Sequence, residues 1–186
     1  PPMRILVLGA TGMVGRGVLL ECLDDPRGSQ VVVVGRSPLG VTHGKLREHL
    51  LPDLFQIASL APELRNLDAC FFCLGASAAG MSEEDYRRVT LDLTLEVARV
   101  FRDASPGGRF LYVSGMGTDS TGTGRQMWAR VKGETENALL AMGFPAAWMF
   151  RPGVIQPMRG VRSSTVLYQA LYTVMAPLTP LLSRFA

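Results

Sequence analysis

The sequence predicts an α/β fold in which a doubly wound parallel sheet carries helices on both faces. Short apolar runs alternate with longer amphipathic segments along the 186 residues, the pattern that crossover helices between parallel strands produce. Residues 4–8 (RILVL) and 31–34 (VVVV) are apolar enough for strands buried on both faces. A glycine-rich turn follows the first of these runs directly.

The remaining elements follow the same alternation. Three more apolar runs are predicted strands: residues 68–74, 109–113 and 146–150. Three amphipathic segments are predicted helices: residues 13–23, a long helix that opens at Ser82, and residues 124–142. The segment Ser82-Glu83-Glu84-Asp85 has a capping signature, and we expect Ser82 to cap the long helix. Between residues 45 and 66 the pattern is weak, and we expect a strand near 54–57 and a short helix after Pro62.

Composition and charge are those of a globular protein. Hydrophobic residues make up 47% and the net charge is +3, without the run of like charges that nucleic-acid binding favours. We expect no nucleic-acid partner, no signal peptide and a cytoplasmic location. The longest uncharged stretch, residues 166–182, is interrupted by Pro177 and Pro180, so it does not predict a membrane-spanning helix. It is a helix over the core, a pocket lid, a partner-facing helix or a weak membrane contact.

Three cysteines, an odd number, do not predict a disulfide framework. Cys70 and Cys73 form a C-x-x-C pattern inside an apolar run that we interpret as a buried strand. Residues three apart on a strand point to opposite faces, so the two thiols should not share a metal or a disulfide. His43 and His49 have no acidic or cysteine cluster around them in the sequence, and we expect no metal site.

The turn at Gly9, Gly12 and Gly15 has the spacing G-x-x-G-x-x-G. It lies between an apolar strand and a helical pattern, with a second strand within about thirty residues. Glycine lets such a turn fold tightly and lets the main chain approach a pyrophosphate, which sits at the positive end of the following helix. The pattern predicts a dinucleotide-binding domain of the Rossmann type. The alternative is a tight strand–helix turn that binds nothing.

The end of the second strand bears on which dinucleotide is bound. A site for NAD(H) would place Asp or Glu there to accept hydrogen bonds from the ribose hydroxyls, but this sequence has Gly35-Arg36-Ser37. Arg36 offers a planar fork of donors suited to a 2′-phosphate, and Ser37 adds a hydroxyl. We predict that NADP(H) is preferred over NAD(H), the alternative being that Arg36 is an ordinary surface arginine.

Four further motifs fall at the ends of later elements. They are Cys73-Leu74-Gly75-Ala76, Leu111-Tyr112-Val113-Ser114-Gly115, Val131-Lys132-Gly133-Glu134 and Phe150-Arg151-Pro152-Gly153. With the glycine turn, they resemble the extended or atypical branch of the short-chain dehydrogenase/reductase superfamily, in particular the Tat-interacting oxidoreductase-like and bacterial nucleoside-diphosphate-sugar epimerase-like group. We expect an NAD(P)-binding Rossmann domain over residues 1–157 and, within the same domain, a helical C-terminal appendage over residues 158–186.

The resemblance implies roles for particular side chains. Ser114 would steady the substrate oxygen and Lys132 would hold the nicotinamide ribose, which makes both candidate catalytic residues. The residues expected to contact the cofactor are Gly9, Thr11, Gly12, Met13, Val14, Gly15, Arg36, Ser37, Leu74, Gly75, Ala76, Lys132, Pro152 and Gly153. The plainer interpretations are a strand-end serine and a solvated helix lysine.

The resemblance also implies a tyrosine four residues before the lysine, on the same helix face, to transfer a proton. That position holds Trp128, whose indole N–H is only a donor and does not titrate near neutral pH. Trp128 blocks or lines a pocket without turnover, stacks on the nicotinamide or an aromatic substrate, or is simply a packed aromatic. Tyr112 lies one pleat deeper than Ser114, while Tyr168 and Tyr172 belong to the C-terminal segment.

Two functional hypotheses result, with a third behind them. The first is an NADP(H)-binding oxidoreductase or epimerase-like protein that acts on a small carbonyl or sugar-nucleotide substrate with weak or altered catalysis. The second is a non-catalytic NADP(H)-dependent binding or regulatory protein with a protein partner. The third is a membrane-surface chaperone that acts through residues 166–182.

Overall fold

A computed structural model describes residues 2–153 and 155, and in this part of the chain six parallel strands form one sheet. The strands are β1 (Met3–Leu8), β2 (Gly28–Gly35), β3 (Leu46–Leu50), β4 (Ala69–Phe72), β5 (Arg109–Val113) and β6 (Ala147–Phe150). Their order across the sheet is β3-β2-β1-β4-β5-β6. The connections therefore change direction between β1 and β4, where open α/β sheets bind ligands beyond the carboxyl ends of their strands.

Helices connect the strands. They are α1 (Met13–Asp24), a 3₁₀ helix (Leu54–Leu60), α2 (Glu83–Arg87), α3 (Leu93–Ala104) and α4 (Met127–Ala141), with a π-helical turn (Arg88–Asp92) that joins α2 to α3. Ser82 caps α2, because its Oγ accepts a hydrogen bond from the Asp85 backbone N–H at 3.1 Å. The predicted capping signature is confirmed.

The central strands divide their side chains between two cores. On one face, alternate residues pack with α1: Ile5, Val7, Val31 and Val33 with Leu19 and Leu23. On the other face, the intervening residues pack with the 3₁₀ helix, α3 and α4: Leu6, Leu8, Val32 and Val34 with Ile57, Phe101 and Leu139. Each such buried side chain contributes about 1.5–3 kcal/mol. The predicted doubly wound sheet with helices on both faces is confirmed.

The segment between β2 and β4 differs from the prediction. The strand expected near residues 54–57 is wrong, since this region is the 3₁₀ helix, and the strand is β3 instead. Among the described strands β3 pairs with β2 alone, and of its five residues Leu46 alone is buried, so it lacks the apolar run of a central strand. Asp53 starts the 3₁₀ helix by accepting a hydrogen bond from the Phe55 N–H at 3.0 Å. The helix expected after Pro62 is also wrong, because residues 61–66 form turns.

The other boundaries shift by a few residues. β4 is shorter than the predicted 68–74, and α4 begins three residues later than predicted, after Gln126. The predicted appendage at 158–186, with Tyr168 and Tyr172, lies outside the described residues. No helix in the described part of the chain combines the length and the apolar character needed to cross a bilayer.

The cysteines are buried or half-buried free thiols. Cys70 is fully buried in β4, and Cys73 follows the end of that strand. Burial raises the pKa of Cys22 to about 11 and that of Cys73 to about 12. These thiols are therefore protonated at neutral pH and poor nucleophiles. Across residues 2–153 and 155, no three candidate ligands cluster as a metal site.

The two glycines on α1 offer a matched test of this packing. An added Cβ at Gly15 would lie 2.1 Å from the Gly9 carbonyl oxygen, whereas a Cβ at Gly17 would meet nothing within 4 Å. We expect Gly15→Ala to destabilise the protein by about 3 kcal/mol or more. Gly17→Ala should stabilise it by about 0.5–1 kcal/mol, because alanine is the better helix former. Urea unfolding measures both, and equal effects of the two substitutions would contradict the packing described.

Candidate functional site

The first and third glycines of the turn are required by packing inside the protein. Gly9 has a φ of +81°, a left-handed conformation that favours glycine. An added Cβ there would lie 2.6 Å from the Cys73 carbonyl carbon, because the end of β4 passes directly over it. Gly15 lies against the Gly9 carbonyl in the same way. These two residues therefore hold the ends of β1 and β4 and the start of α1 together.

Gly12 differs, because little in the protein requires a glycine there. Its φ and ψ of −80° and 165° suit any residue, and an added Cβ would meet only the Gly9 oxygen, at 3.3 Å. Gly12 also starts α1, which has no side-chain cap and no acidic residue in its first turn. The positive end of the helix and a close-approach position thus coincide, as a bound pyrophosphate requires.

A cleft opens beside this turn. Its lining comes from the ends of β1, β2 and β4, from the loops after them and from the start of the 3₁₀ helix: Gly9, Ala10, Thr11, Val33, Gly35, Arg36, Ser37, Leu39, Leu54 and Leu74. The structure thus brings together predicted cofactor contacts from three distant parts of the sequence. Gly75 and Ala76 follow Leu74 and are exposed, and Met13 and Val14 begin α1 behind Gly12.

Two arginines lie at the cleft, Arg36 in its lining and Arg16 hydrogen-bonded to a lining residue. Arg36 is exposed, and within the described part of the chain no carboxylate forms an ion pair with it. Arg16 of α1 reaches the same loop, with its Nη1 donating to the Leu39 carbonyl at 3.4 Å. Sequence reasoning missed Arg16. Arg16 follows the third glycine directly and so lies near the start of α1, and this position in the sequence could have identified it as a residue close to the cleft.

Ser114 lies just beyond the end of β5 and is buried. Its backbone N–H donates to the Phe150 carbonyl at 2.7 Å, and its Oγ lies 2.9 Å from the Thr118 hydroxyl. Thr118 has a single hydroxyl proton, which it donates to the Gly115 carbonyl at 2.7 Å. The Ser114 proton therefore goes to Thr118, and its remaining lone pairs are what Ser114 can offer to a ligand.

Trp128 occupies the second position of α4, half-buried. Its Nε1–H donates to the Gln126 side-chain oxygen at 3.1 Å. Its ring lies near Gly117, where an added Cβ would be 3.4 Å from the ring edge, and it packs against a small cluster that includes Tyr86. The indole thus covers the loop after Ser114, and its only polar atom already has a partner.

Lys132 lies one turn further along α4. Its Nζ is 5.4 Å from the centre of the Tyr112 ring. Burial lowers the pKa of the Lys132 ammonium, and the charge of Glu136 acts in the opposite direction. Tyr112 and Tyr86 are themselves almost completely buried, and burial raises the pKa of both phenols. Neither phenol is therefore placed to exchange a proton with a ligand.

The loop between β5 and α4 is held tightly on the helix. The Asp119 N–H donates to the Ala129 carbonyl at 3.0 Å, and an added Cβ at Gly133 would lie 1.8 Å from the Asp119 carbonyl oxygen. The Asp119 carboxylate accepts hydrogen bonds from Thr121 and from the Gly124 N–H, which lower its pKa to about 2. The path of the chain after Ser114 is fixed by these contacts.

Arg151 connects this loop to the end of β6. Its guanidinium donates to both carboxylate oxygens of Glu136 on α4 and to the Ser120 hydroxyl. The next residue, Pro152, accepts a hydrogen bond from the Met116 N–H at 2.9 Å. Sequence reasoning quoted Arg151 only as part of a motif and overlooked Glu136, although Glu136 lies four residues after Lys132 and so on the same helix face.

Comparison with known proteins gives a family and two kinds of relative. Residues 5–125 match the NAD dependent epimerase/dehydratase family. The mitochondrial protein fmp52 of Aspergillus clavatus is 30% identical over 163 residues, which cover 84% of this chain and 68% of that protein. Protein HTATIP2 of Rattus norvegicus is 28% identical over 156 residues, covering 81% of this chain and 62% of that protein.

Solved structures share the fold. MoeE5 in complex with UDP-glucose and NAD superposes with a TM-score of 0.63 and 24% identity over 80% of this chain, which spans about half (53%) of the MoeE5 chain. A short chain dehydrogenase from Burkholderia cenocepacia in complex with NADP superposes with a TM-score of 0.63 and 17% identity, covering 96% of this chain and 85% of that one. The chain belongs to the NAD dependent epimerase/dehydratase family, in the atypical short-chain dehydrogenase/reductase-like group that its motifs predict, and is an oxidoreductase/epimerase-like protein.

Proposed function

We propose that the chain binds NADP(H) in the cleft beside the glycine turn. The observation that carries the proposal is the contrast between Gly12 and its two neighbours in the motif. Gly9 and Gly15 are explained by packing inside the protein, whereas a Cβ at Gly12 would meet a single atom at 3.3 Å. The close-approach position at the positive end of α1 is then explained by a bound pyrophosphate.

The arginines support the phosphorylated dinucleotide. Arg36 and Ser37 follow β2, where the ribose of the adenosine half binds in this fold, and Arg16 adds a second cation from α1. A 2′-phosphate offers both guanidinium groups an anionic partner. Among the solved structures, the Burkholderia dehydrogenase contains NADP and MoeE5 contains NAD, so the choice for this chain rests on its own side chains.

At the other end of the site, the residues fit a nicotinamide and a small substrate. When bound, the nicotinamide would supply or accept a hydride. Lys132 would donate to the ribose hydroxyls, Pro152 and Gly153 would pack beside the ring, and Ser114 would hold the substrate oxygen through its lone pairs. We propose a small carbonyl compound or a sugar nucleotide as substrate, in keeping with the family and with the UDP-glucose bound to MoeE5.

The second candidate function is a non-catalytic NADP(H)-dependent binding or regulatory protein with a protein partner. It is favoured by the side chain at 128, since the indole does not titrate and its N–H is held by Gln126. Tyr86 and Tyr112 are buried and cannot replace a tyrosine at that position. If the chain is an enzyme, its proton transfer uses water or another group, and catalysis is weak.

We propose a cytoplasmic location. The three cysteines, Cys22, Cys70 and Cys73, are free thiols, which supports a reducing compartment. The fungal fmp52 proteins carry the word mitochondrial in their names, so cell fractionation of a tagged chain should look for it in both compartments.

One prediction concerns the choice between NADPH and NADH. Arg36→Ala should weaken NADPH binding by about tenfold or more, because a hydrogen bond to a charged group contributes roughly 1.5–3 kcal/mol. NADH binding should change by no more than about twofold, since NADH has no 2′-phosphate for the arginine to bind. Titration calorimetry with both nucleotides measures the difference. Arg109→Ala, an exposed arginine at the opposite end of the sheet, is the control. An equal loss of affinity for NADPH and NADH would contradict the assignment of Arg36 to the 2′-phosphate.

Another prediction separates the enzyme from the non-catalytic binding protein. Trp128→Tyr should raise NADPH oxidation with a panel of small carbonyl compounds by about tenfold or more, because a positioned acid contributes about 10²–10⁴-fold. Trp128→Phe, which supplies an aromatic ring without a hydroxyl, should give no gain. No activity in any of the three proteins, with NADPH still bound, would favour the non-catalytic function. A wild type that turns over well and loses activity with tyrosine would contradict both.

A further inference from the structure

Arg151 is the side chain that joins the three elements around the proposed nicotinamide site. It follows β6 directly, its Nε donates to the two carboxylate oxygens of Glu136 on α4 at 3.0 and 3.1 Å, and its Nη2 donates to Ser120 in the loop after β5. The Glu136 side chain is 3% exposed, whereas the Arg151 side chain is 40% exposed. A charge as deeply buried as that of Glu136 needs a partner.

Glu136 has a second cation within reach. Lys132 lies one turn earlier on the same face of α4, and its ammonium is influenced by the Glu136 charge. Within residues 2–153 and 155, no hydrogen-bond acceptor contacts the Lys132 Nζ, which lies over the Tyr112 ring. Among the described residues, the titratable groups that act on this ammonium are Glu136 from its own helix, through its charge, and Tyr112 from β5, through its ring, with Arg151 acting through Glu136.

We propose that Arg151 is a positioning residue, which holds the Glu136 carboxylate away from Lys132 and leaves the ammonium free to bind the dinucleotide ribose. The inference rests on the proposed function, in which Lys132 contacts the cofactor. A guanidinium suits this task because its fixed fork binds both carboxylate oxygens at once, which a lysine ammonium does not. Without Arg151, Lys132 is a cation available to the buried carboxylate, one turn away on the same helix face.

The test compares three proteins. Arg151→Ala should raise the pKa of Lys132 and weaken NADPH binding by about tenfold or more, because Glu136 then engages the ammonium. Arg151→Ala combined with Glu136→Gln should return the Lys132 pKa to the wild-type value or below, and should restore NADPH binding to within about threefold of wild type. Competitive acetylation across pH, with mass spectrometry of the Lys132 peptide, gives the pKa of the free protein. Titration calorimetry gives the affinity.

A matched control uses the other arginine that pairs bidentately with a glutamate of α4. Arg87 donates to both oxygens of Glu134 at 2.6 and 2.7 Å, on an exposed face of the helix. Arg87→Ala should change neither the Lys132 pKa nor NADPH affinity. Should Arg151→Ala fail to fold, as circular dichroism would show, Arg151→Gln carries the same comparison, because it fills more of the volume and cannot form the ion pair.

Rescue distinguishes positioning from a merely structural role. If Arg151 only ties β6 to α4, the double variant binds NADPH no better than Arg151→Ala, and that result would overturn the inference. An unchanged Lys132 pKa in Arg151→Ala would overturn it too, whether or not a dinucleotide binds. Failure of wild type to bind NADPH or NADH, in contrast, would reject the proposed function, and the pKa comparison in the free protein still tests the hold of Arg151 on Glu136.

Discussion

The nucleotide end of the site depends on one close approach of backbone to backbone. Gly15 of α1 lies so near the Gly9 carbonyl that a Cβ would stand 2.1 Å from its oxygen, and a Cβ at Gly9 would stand 2.6 Å from the Cys73 carbonyl carbon just beyond β4. These contacts bring the start of a helix and the ends of two strands to one point. The cleft exists because nothing larger than hydrogen stands on either glycine, and the amides of α1 then face open space at Gly12.

A similar close approach occurs on a different helix, at the proposed nicotinamide end of the site. Gly133 of α4 lets the Asp119 carbonyl lie directly against the surface of the helix, where an added Cβ would be 1.8 Å from the carbonyl oxygen. The residue before Gly133 is Lys132, and the loop that Asp119 belongs to begins at Ser114. This contact therefore helps to hold the loop that begins at Ser114 against the helix that carries Lys132. The Arg151–Glu136 ion pair adds the end of β6 to this arrangement.

Local patterns predicted the parts of the fold that they control. The glycine turn, the central strands and the Ser82 cap depend on residue type at fixed spacing, and the sequence shows them directly. β3 was missed because an edge strand with one buried residue has no apolar run. Leu54, Phe55 and Ile57 are apolar residues within four positions, which suggested a strand, but Leu54 and Ile57 are buried with the three-residue period of a 3₁₀ helix. Arg16 and the Arg151–Glu136 pair act through contacts that join separate elements, so no single stretch of sequence contains them.

Position 128 decides what the rest of the site can do. The Ser114 hydroxyl donates its hydrogen bond to Thr118, and burial lowers the pKa of Lys132. The phenols of Tyr86 and Tyr112 are buried in the core. Ser114 and Lys132 are able to bind or orient a ligand, but neither is a phenol, and the two buried phenols are closed to one. The described part of the chain therefore combines a glycine-lined cleft with an indole, packed over the Ser114 loop, at the position where the proposed enzyme would need a titrating tyrosine.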